Sequence, residues 1–321
     1  MNKSTRLIAL LTGVVLAAAA CTSSGASTAP SSAPSTAPSA APSTAASTAP
    51  SEAAATVDPK SLLGLVLKNG EIRVSTDPNY KPFSFLNLDT QTYEGFDNGT
   101  AEEAVKRLST KLGTEIKIKW ETPGWDTITA GSWGGRWDIS IGSMSVTVTR
   151  AKVVDFVEPY YYDSGAVAVP KDSTVQSLSE LNDKTFCVGA STTYEQWMKG
   201  TLEIVDPNIV PAPTTATDNI TSLPTDNECI QAVNAGRKFD AIVANGNGLA
   251  DAVKSGAKIR VLEGPPIFTV SVAFALDKSG PNDAALKVLL DQIVTEMHAD
   301  GTLKKLSEKW FEGKDVTTKP S

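Results

Sequence analysis

Residues 137–165 read WDISIGSMSVTVTRAKVVDFVEPYYYDSG, and this stretch decides how the rest of the chain is read. Asp138 to Ile141 is a short, half-apolar strand by pattern, and the turn after it sets Ser143, Ser145, Thr147 and Thr149 just ahead of Arg150. A guanidinium offers a fixed fork of donors. Beside hydroxyls and free backbone N–H groups it suits a carboxylate held by paired, charge-assisted hydrogen bonds. A salt bridge from Arg150 to Asp155 or Glu158 is the local alternative, and these residues alone do not choose between the two.

Toward the N-terminus, Lys3 and Arg6 precede an apolar run from Leu7 to Val15 and small residues up to Cys21. This is the layout of an export signal over residues 1–20, too short in its apolar part to span a bilayer. Leu16-Ala-Ala-Ala-Ala-Cys21 resembles a bacterial lipobox, in which the cysteine becomes the lipidated first residue. Residues 21–58 read as a tether, almost wholly Ser, Thr, Ala and Pro through Ala55, in repeats such as APSTAPS and with Glu52 the only charge there. Such a composition cannot bury enough apolar surface to order itself. The expectation is a protein held on the outer face of the cell membrane by lipid on Cys21.

With Cys21 lipidated, Cys187 and Cys229 remain in an exported and therefore oxidising compartment, where a disulfide is the default pairing. No metal site is expected: CxxC spacing is absent and His298 is the only histidine. That lone histidine also argues against Ser-His or Cys-His nucleophile chemistry, and its place where a helix ends suits a charge near a helix C-terminus. Without residues 1–20 the chain carries 27 basic and 36 acidic residues, a net charge of −9, which disfavours a nucleic-acid surface. No phosphate-loop sequence is present, and no cofactor is implied.

From about Pro59 onward, strand and helix signals alternate, as in an α/β fold long enough for two lobes. Strands are predicted at Ile72–Thr76, Ile116–Trp120, Thr185–Val188, Phe239–Val243 and Ile259–Leu262. The capping box Thr100-Ala-Glu-Glu103 predicts a helix over Thr100–Leu112, and Thr225-Asp-Asn-Glu228 predicts another. Leu286, Leu289, Leu290, Ile293, Val294 and Met297 mark a last long helix that stops near Gly301.

Beside the opening stretch, IRVSTDPNYKPFSF, YEGFDNGTAEEAVKRL, LNDKTFCVGASTTYEQW, AGRKFDAIVA and MHADGTLKKLSEKWFEG occur in an order that resembles family 3 extracellular solute-binding proteins. These are the polar amino acid receptors of bacterial ABC importers. The resemblance implies a two-lobed α/β fold of the type II periplasmic-binding-protein kind. One lobe would comprise residues 59–165 and 268–321 and the other residues 166–267, joined by two hinge strands near Ser164–Val169 and Pro266–Val270.

The resemblance also assigns a ligand site. Arg150 matches the arginine that takes a ligand carboxylate, with Ser145 and the backbone at Ser143 beside it. Thr192 and Thr193 match a second-lobe loop that closes over the same group, and Thr192-Thr-Tyr-Glu195 is also a capping box. Tyr80 and Trp125 match aromatic walls, and Asp77 an acid near the ligand's amino or side-chain end. Asn245 stands where many relatives carry the aspartate that neutralises the ligand ammonium. Asparagine supplies no charge, so either Asp77 or another acid takes over or the ligand is not a plain α-amino acid. PIFTVSVAFAL over residues 266–276 lacks the Tyr-Gly usual at that strand.

The implied function is a monomeric, lipid-anchored receptor. It would bind a small carboxylate-bearing solute, an amino acid or derivative, without altering it, and deliver it to an ABC permease with its ATPase. The alternative is an enzyme of the same fold, such as a cyclohexadienyl dehydratase, with Asp77 as candidate general acid.

Overall fold

A computed structural model describes residues 57–205 and 208–319. The export signal, the Cys21 lipidation position and the tether up to Thr56 lie outside the described residues.

Two large sheets organise the described residues, and a small three-stranded one of Asn79–Tyr80, Ser84–Asn87 and Thr92–Glu94 accompanies them. The first runs Lys117–Glu121, Glu71–Ser75, Ile139–Ser140, Ala275–Asp277, Val154–Phe156 in spatial order. Its first three strands are parallel, while Ala275–Asp277 pairs antiparallel to both its neighbours. The helices Leu62–Asn69, Phe96–Leu112, Ala284–Ala299 and Thr302–Trp310 belong to the same body, and their apolar faces bury Leu63, Leu108, Leu290 and Leu303 against Ile72, Val74 and Phe274. The predicted last helix is therefore followed by one more, with Gly301 in the left-handed conformation between them.

The second sheet runs Ile220–Leu223, Phe186–Gly189, Ala241–Asn245, Tyr161–Pro170, Ile259–Val261. Its central strand Ala241–Asn245 is buried at every position, as expected of a strand covered on both faces. Helices Thr193–Met198, Asp226–Asn234 and Gly246–Lys254 accompany it. A disulfide joins Cys187 of the strand Phe186–Gly189 to Cys229 of the helix Asp226–Asn234, with an S–S length of 1.99 Å.

One long strand, Tyr161–Pro170, belongs to both halves. Residues 161–164 pair with Thr269–Val272, and from Gly165 onward the strand pairs with Ala241–Asn245 and Ile259–Val261. This change of partners makes the two-lobed α/β architecture, with a pair of strands passing between the two cores. Both passages fall within a few residues of the predicted positions.

Most predicted boundaries shift by one or two residues, and one helix start shifts further. The helix expected to open at Thr100 begins at Phe96, behind Gly95. The first N–H groups find acceptors outside the helix, Phe96 N donating to Pro82 O and Asp97 N to Phe83 O. No side-chain cap is needed, and the Thr100 hydroxyl donates back to Phe96 O inside the helix instead. Gly95 has φ 124°, and a Cβ there would sit 2.2 Å from Phe83 O, so only glycine allows this entry. The box at Thr225 behaves as predicted, its hydroxyl accepting from Glu228 N.

Candidate functional site

Arg150 opens a short 3₁₀ turn whose first N–H donates to Thr147 Oγ1 at 3.1 Å. The residue is 4% exposed, so its guanidinium is removed from water. Nη1 donates to Ser145 O and Nη2 to Ser191 O, both at 3.0 Å, while Nε has no partner. The Trp125 ring lies 5.1 Å from the guanidinium carbon, and its indole N–H also donates to Ser191 O at 3.3 Å. Ser191 belongs to the second-sheet body, so its carbonyl ties the two lobes together over the arginine. Burial lowers Arg150 to about 10, which leaves it charged at neutral pH. Neither Asp155 nor Glu158 pairs with it; Asp155 faces Lys278 at 3.5 Å.

Asp77, Tyr80, Trp125, Ser143, Ser145, Arg150, Thr192 and Thr193 line one cavity. Trp125 places its ring on Arg150, and Tyr80 stacks on Phe83 at 5.2 Å. Ser143 adopts φ 53°, and its hydroxyl donates to Asp97 Oδ2 at 2.7 Å. Asp97 also accepts from the Tyr160 hydroxyl, and its burial pushes it up to about 7 against those two bonds.

Thr192 caps the helix Thr193–Met198, accepting from Glu195 N at 3.1 Å. The reciprocal half of the box is displaced by one residue, because Glu195 accepts from Ser191 N rather than from Thr192 N. Ser191 has φ 61°, which turns its N–H toward the helix start while its carbonyl faces Arg150.

Asn245 is not brought into this cavity. Its Oδ1 caps the helix Gly246–Lys254 by accepting from Asn247 N and Gly248 N, and its Nδ2 donates to Asp163. Both ends of the amide already have protein partners.

A model of the bacterial extracellular solute-binding proteins of family 3 matches residues 72–313. The chain belongs to that family. It is 30% identical over 260 residues to the L-cystine-binding protein TcyJ of Escherichia coli (strain K12), covering 80% of this chain and 88% of that one. The histidine-binding periplasmic protein of Salmonella typhimurium is 28% identical over 250 residues, or 75% of this chain and 88% of its own. Among solved structures, the ancestral amino acid-binding protein AncCDT-1, a precursor of cyclohexadienyl dehydratase, is 31% identical with a TM-score of 0.64, over 78% of this chain and all of its own. The histidine-bound protein of Streptococcus pneumoniae shares the fold at a TM-score of 0.67 and 21% identity, over 80% of this chain and 98% of its own. No helix among the described residues is long and apolar enough to cross a membrane.

Sequence reasoning missed two acids that line this cavity, Asp163 and Asp226, together with Tyr194. Asp163 is 3% exposed; it accepts from the Tyr194 hydroxyl at 2.6 Å and from Asn245. Burial raises it to about 6, with Arg150 and those hydrogen bonds pulling the other way. Asp226 is 6% exposed, and its Oδ1 accepts from Gly189 N at 2.9 Å. A Cβ at Gly189 would sit 2.4 Å from that oxygen, so the glycine lets the carboxylate approach the strand. Burial raises Asp226 to about 7, and the neighbouring Asp163 and Asp77 add to the rise. Burial also raises Asp77, whose Oδ1 accepts from Asn79 N at 2.7 Å. Asp226 was visible beforehand only as a residue of a helix cap.

Proposed function

We propose that this chain is the solute-binding component of an ABC importer. In this reading it captures a small carboxylate-bearing solute, an amino acid or derivative, between a lobe of residues 59–165 and 268–321 and a lobe of residues 166–267. The solute then passes to a membrane permease with its ATPase. Residues 1–20 act as a signal peptide, Cys21 carries the lipid, and the protein works as a monomer on the outer face of the membrane.

The observation that carries this reading is the state of Arg150. A buried guanidinium with an unpartnered Nε faces the cavity, and its other donors meet one carbonyl from each lobe. A carboxylate there gains charge-assisted bonds that a carbonyl cannot match. Because contacts from both lobes converge on the same group, a bound carboxylate stabilises the joined arrangement by its differential affinity for it. L-cystine for TcyJ and histidine for the Salmonella protein are solutes of this class.

Thermal denaturation across a panel of amino acids, amines and small acids tests the proposal, since a ligand that binds only the folded state raises the melting temperature. Amino acids should raise it and simple amines should not. Arg150→Ala is expected to weaken amino acid binding by about 100-fold or more, and an unchanged affinity refutes the site. A dehydratase reading draws on the raised carboxyl of Asp226 as a possible general acid. Turnover of prephenate would establish that reading in place of transport.

A further inference from the structure

The cavity is electrically lopsided. Arg150 is its only basic lining residue, against the three acids Asp77, Asp163 and Asp226. These acids follow an order. Asp163 feels the positive charge of Arg150, whereas Asp226 has no cation among the groups acting on it and is opposed by Asp163 and Asp77. Asp77 lines the same cavity, with no cation among the groups acting on it, and is opposed by Glu228. The cavity therefore has a cationic end, an acid beside it, and a second acidic place beyond. The unpartnered, buried Nε of Arg150 in the same cavity marks this as a place for a ligand rather than a closed internal network.

A zwitterion with an uncharged side chain leaves the second acidic place uncompensated. Two carboxylates brought out of water beside each other are strongly unfavourable without a counter-charge. A solute with a lone carboxylate at its far end, as in L-glutamate, sets like charges against each other there, and the far end of L-cystine brings a carboxylate along with its second ammonium. Tyr80 supplies an aromatic surface to the same cavity, a favourable neighbour for a cation.

We infer that the cavity takes a cationic amino acid, its carboxylate on Arg150, its α-ammonium on Asp163 and its side-chain ammonium or guanidinium on Asp226 with Asp77. This rests on the amino acid reading above and names its substrate class. Asp163 then does the work that the position of Asn245 does in many relatives, and Asn245 becomes a positioning residue that holds Asp163 through its Nδ2.

The test is calorimetric titration of protein stripped of bound solute with L-arginine, L-lysine, L-citrulline, L-glutamine and L-cystine. Arginine or lysine should bind about 100-fold more tightly than citrulline or glutamine, since those two lack the second positive charge. Asp226→Asn should remove at least about tenfold of that preference. Asp77→Asn should act in the same direction with a smaller effect. If Asp226→Asn does not fold, the arginine-to-citrulline ratio of the native protein and the Asp77→Asn variant carry the test. Citrulline or cystine binding as tightly as arginine overturns the inference, as does a preference that survives both substitutions. Tight neutral binding that Arg150→Ala abolishes removes the cation assignment alone; no binding by any amino acid removes the amino acid reading with it.

Discussion

The two ends of the cavity are built in opposite ways. The core of the cationic end comes from one continuous segment, in which Ser145, Thr147 and Arg150 fold onto one another through local bonds, with Trp125 and the Ser191 carbonyl joining from outside it. The acidic end gathers Asp77, Asp163 and Asp226 from three remote segments, one of them on the strand shared by both lobes. A local motif fixes an anion-binding group with few conditions, whereas the acids depend on the whole fold to meet. Away from the loop that carries Ser191, change in the second lobe should disturb the first end less than the second.

Removing the disulfide is the harshest way to probe this asymmetry. Cys187 and Cys229 are 42 residues apart, and opening a loop of that size is expected to lower stability by about 4 kcal/mol. The bond joins the strand that ends at Gly189 to the helix that begins at Asp226. Urea unfolding of a Cys187→Ser/Cys229→Ser variant measures the loss, and a value below about 1 kcal/mol contradicts the estimate. Selectivity between charged and neutral amino acids should suffer more than carboxylate binding itself.

Asn245→Asp sharpens the comparison from within. It keeps a helix-capping oxygen but replaces the donor to Asp163 with a second carboxylate. We expect a loss of about 2 kcal/mol at pH 8, recovered in part at lower pH as one of the pair takes up a proton. Equal melting temperatures for variant and native protein at pH 8 speak against Asp163 being ionised there.

The smallest effect is the pH dependence of the ligand-free protein. Burial raises Asp97 and Asp226 to about 7 and Asp163 to about 6, so the folded chain holds protons that the unfolded chain has released. Stability from these groups is greatest in acid and falls as pH rises through about 4 to 7. Carboxyls held low, such as Asp300 at about 2, lose their contribution only at lower pH and do not oppose this. Melting should come about 3 °C higher at pH 5.5 than at pH 8. Affinity for a cationic amino acid should run the other way, because Asp226, facing Asp163, Asp77, Tyr80 and Tyr194, must ionise to receive it. A ligand-free melting temperature that rises toward pH 8 sinks the first part.

Much of this was legible in the sequence because it is local or patterned. The Arg150 turn, the box at Thr225 and the apolar stripe of the long C-terminal helix each need only neighbours within a few residues. The start of the helix at Phe96 was not legible, because its first N–H groups bond to Pro82 and Phe83 across a glycine entry. The acids escaped for the same reason. Asp163 reads as part of an aromatic strand and Asp226 as part of a cap, and only the convergence of Tyr161–Pro170, Phe186–Gly189 and Asp226–Asn234 puts them in one cavity. Asn245 shows the converse, since its position in the sequence did not reveal that both ends of its amide are bonded within the protein, to Asp163 and to the start of the following helix.

Asp163 sits two residues before the point where the shared strand exchanges one set of partners for the other. A group beside a pivot travels least when the bodies on either side swing apart, so Asp163 can greet an arriving solute together with Arg150 before Asp226 comes into reach. On the proposed cationic assignment, capture and retention would be set by different acids. Stopped-flow measurements with L-arginine should find that Asp226→Asn leaves the association rate near native and speeds release, whereas a slowed association would show that all three carboxylates take part in the first encounter.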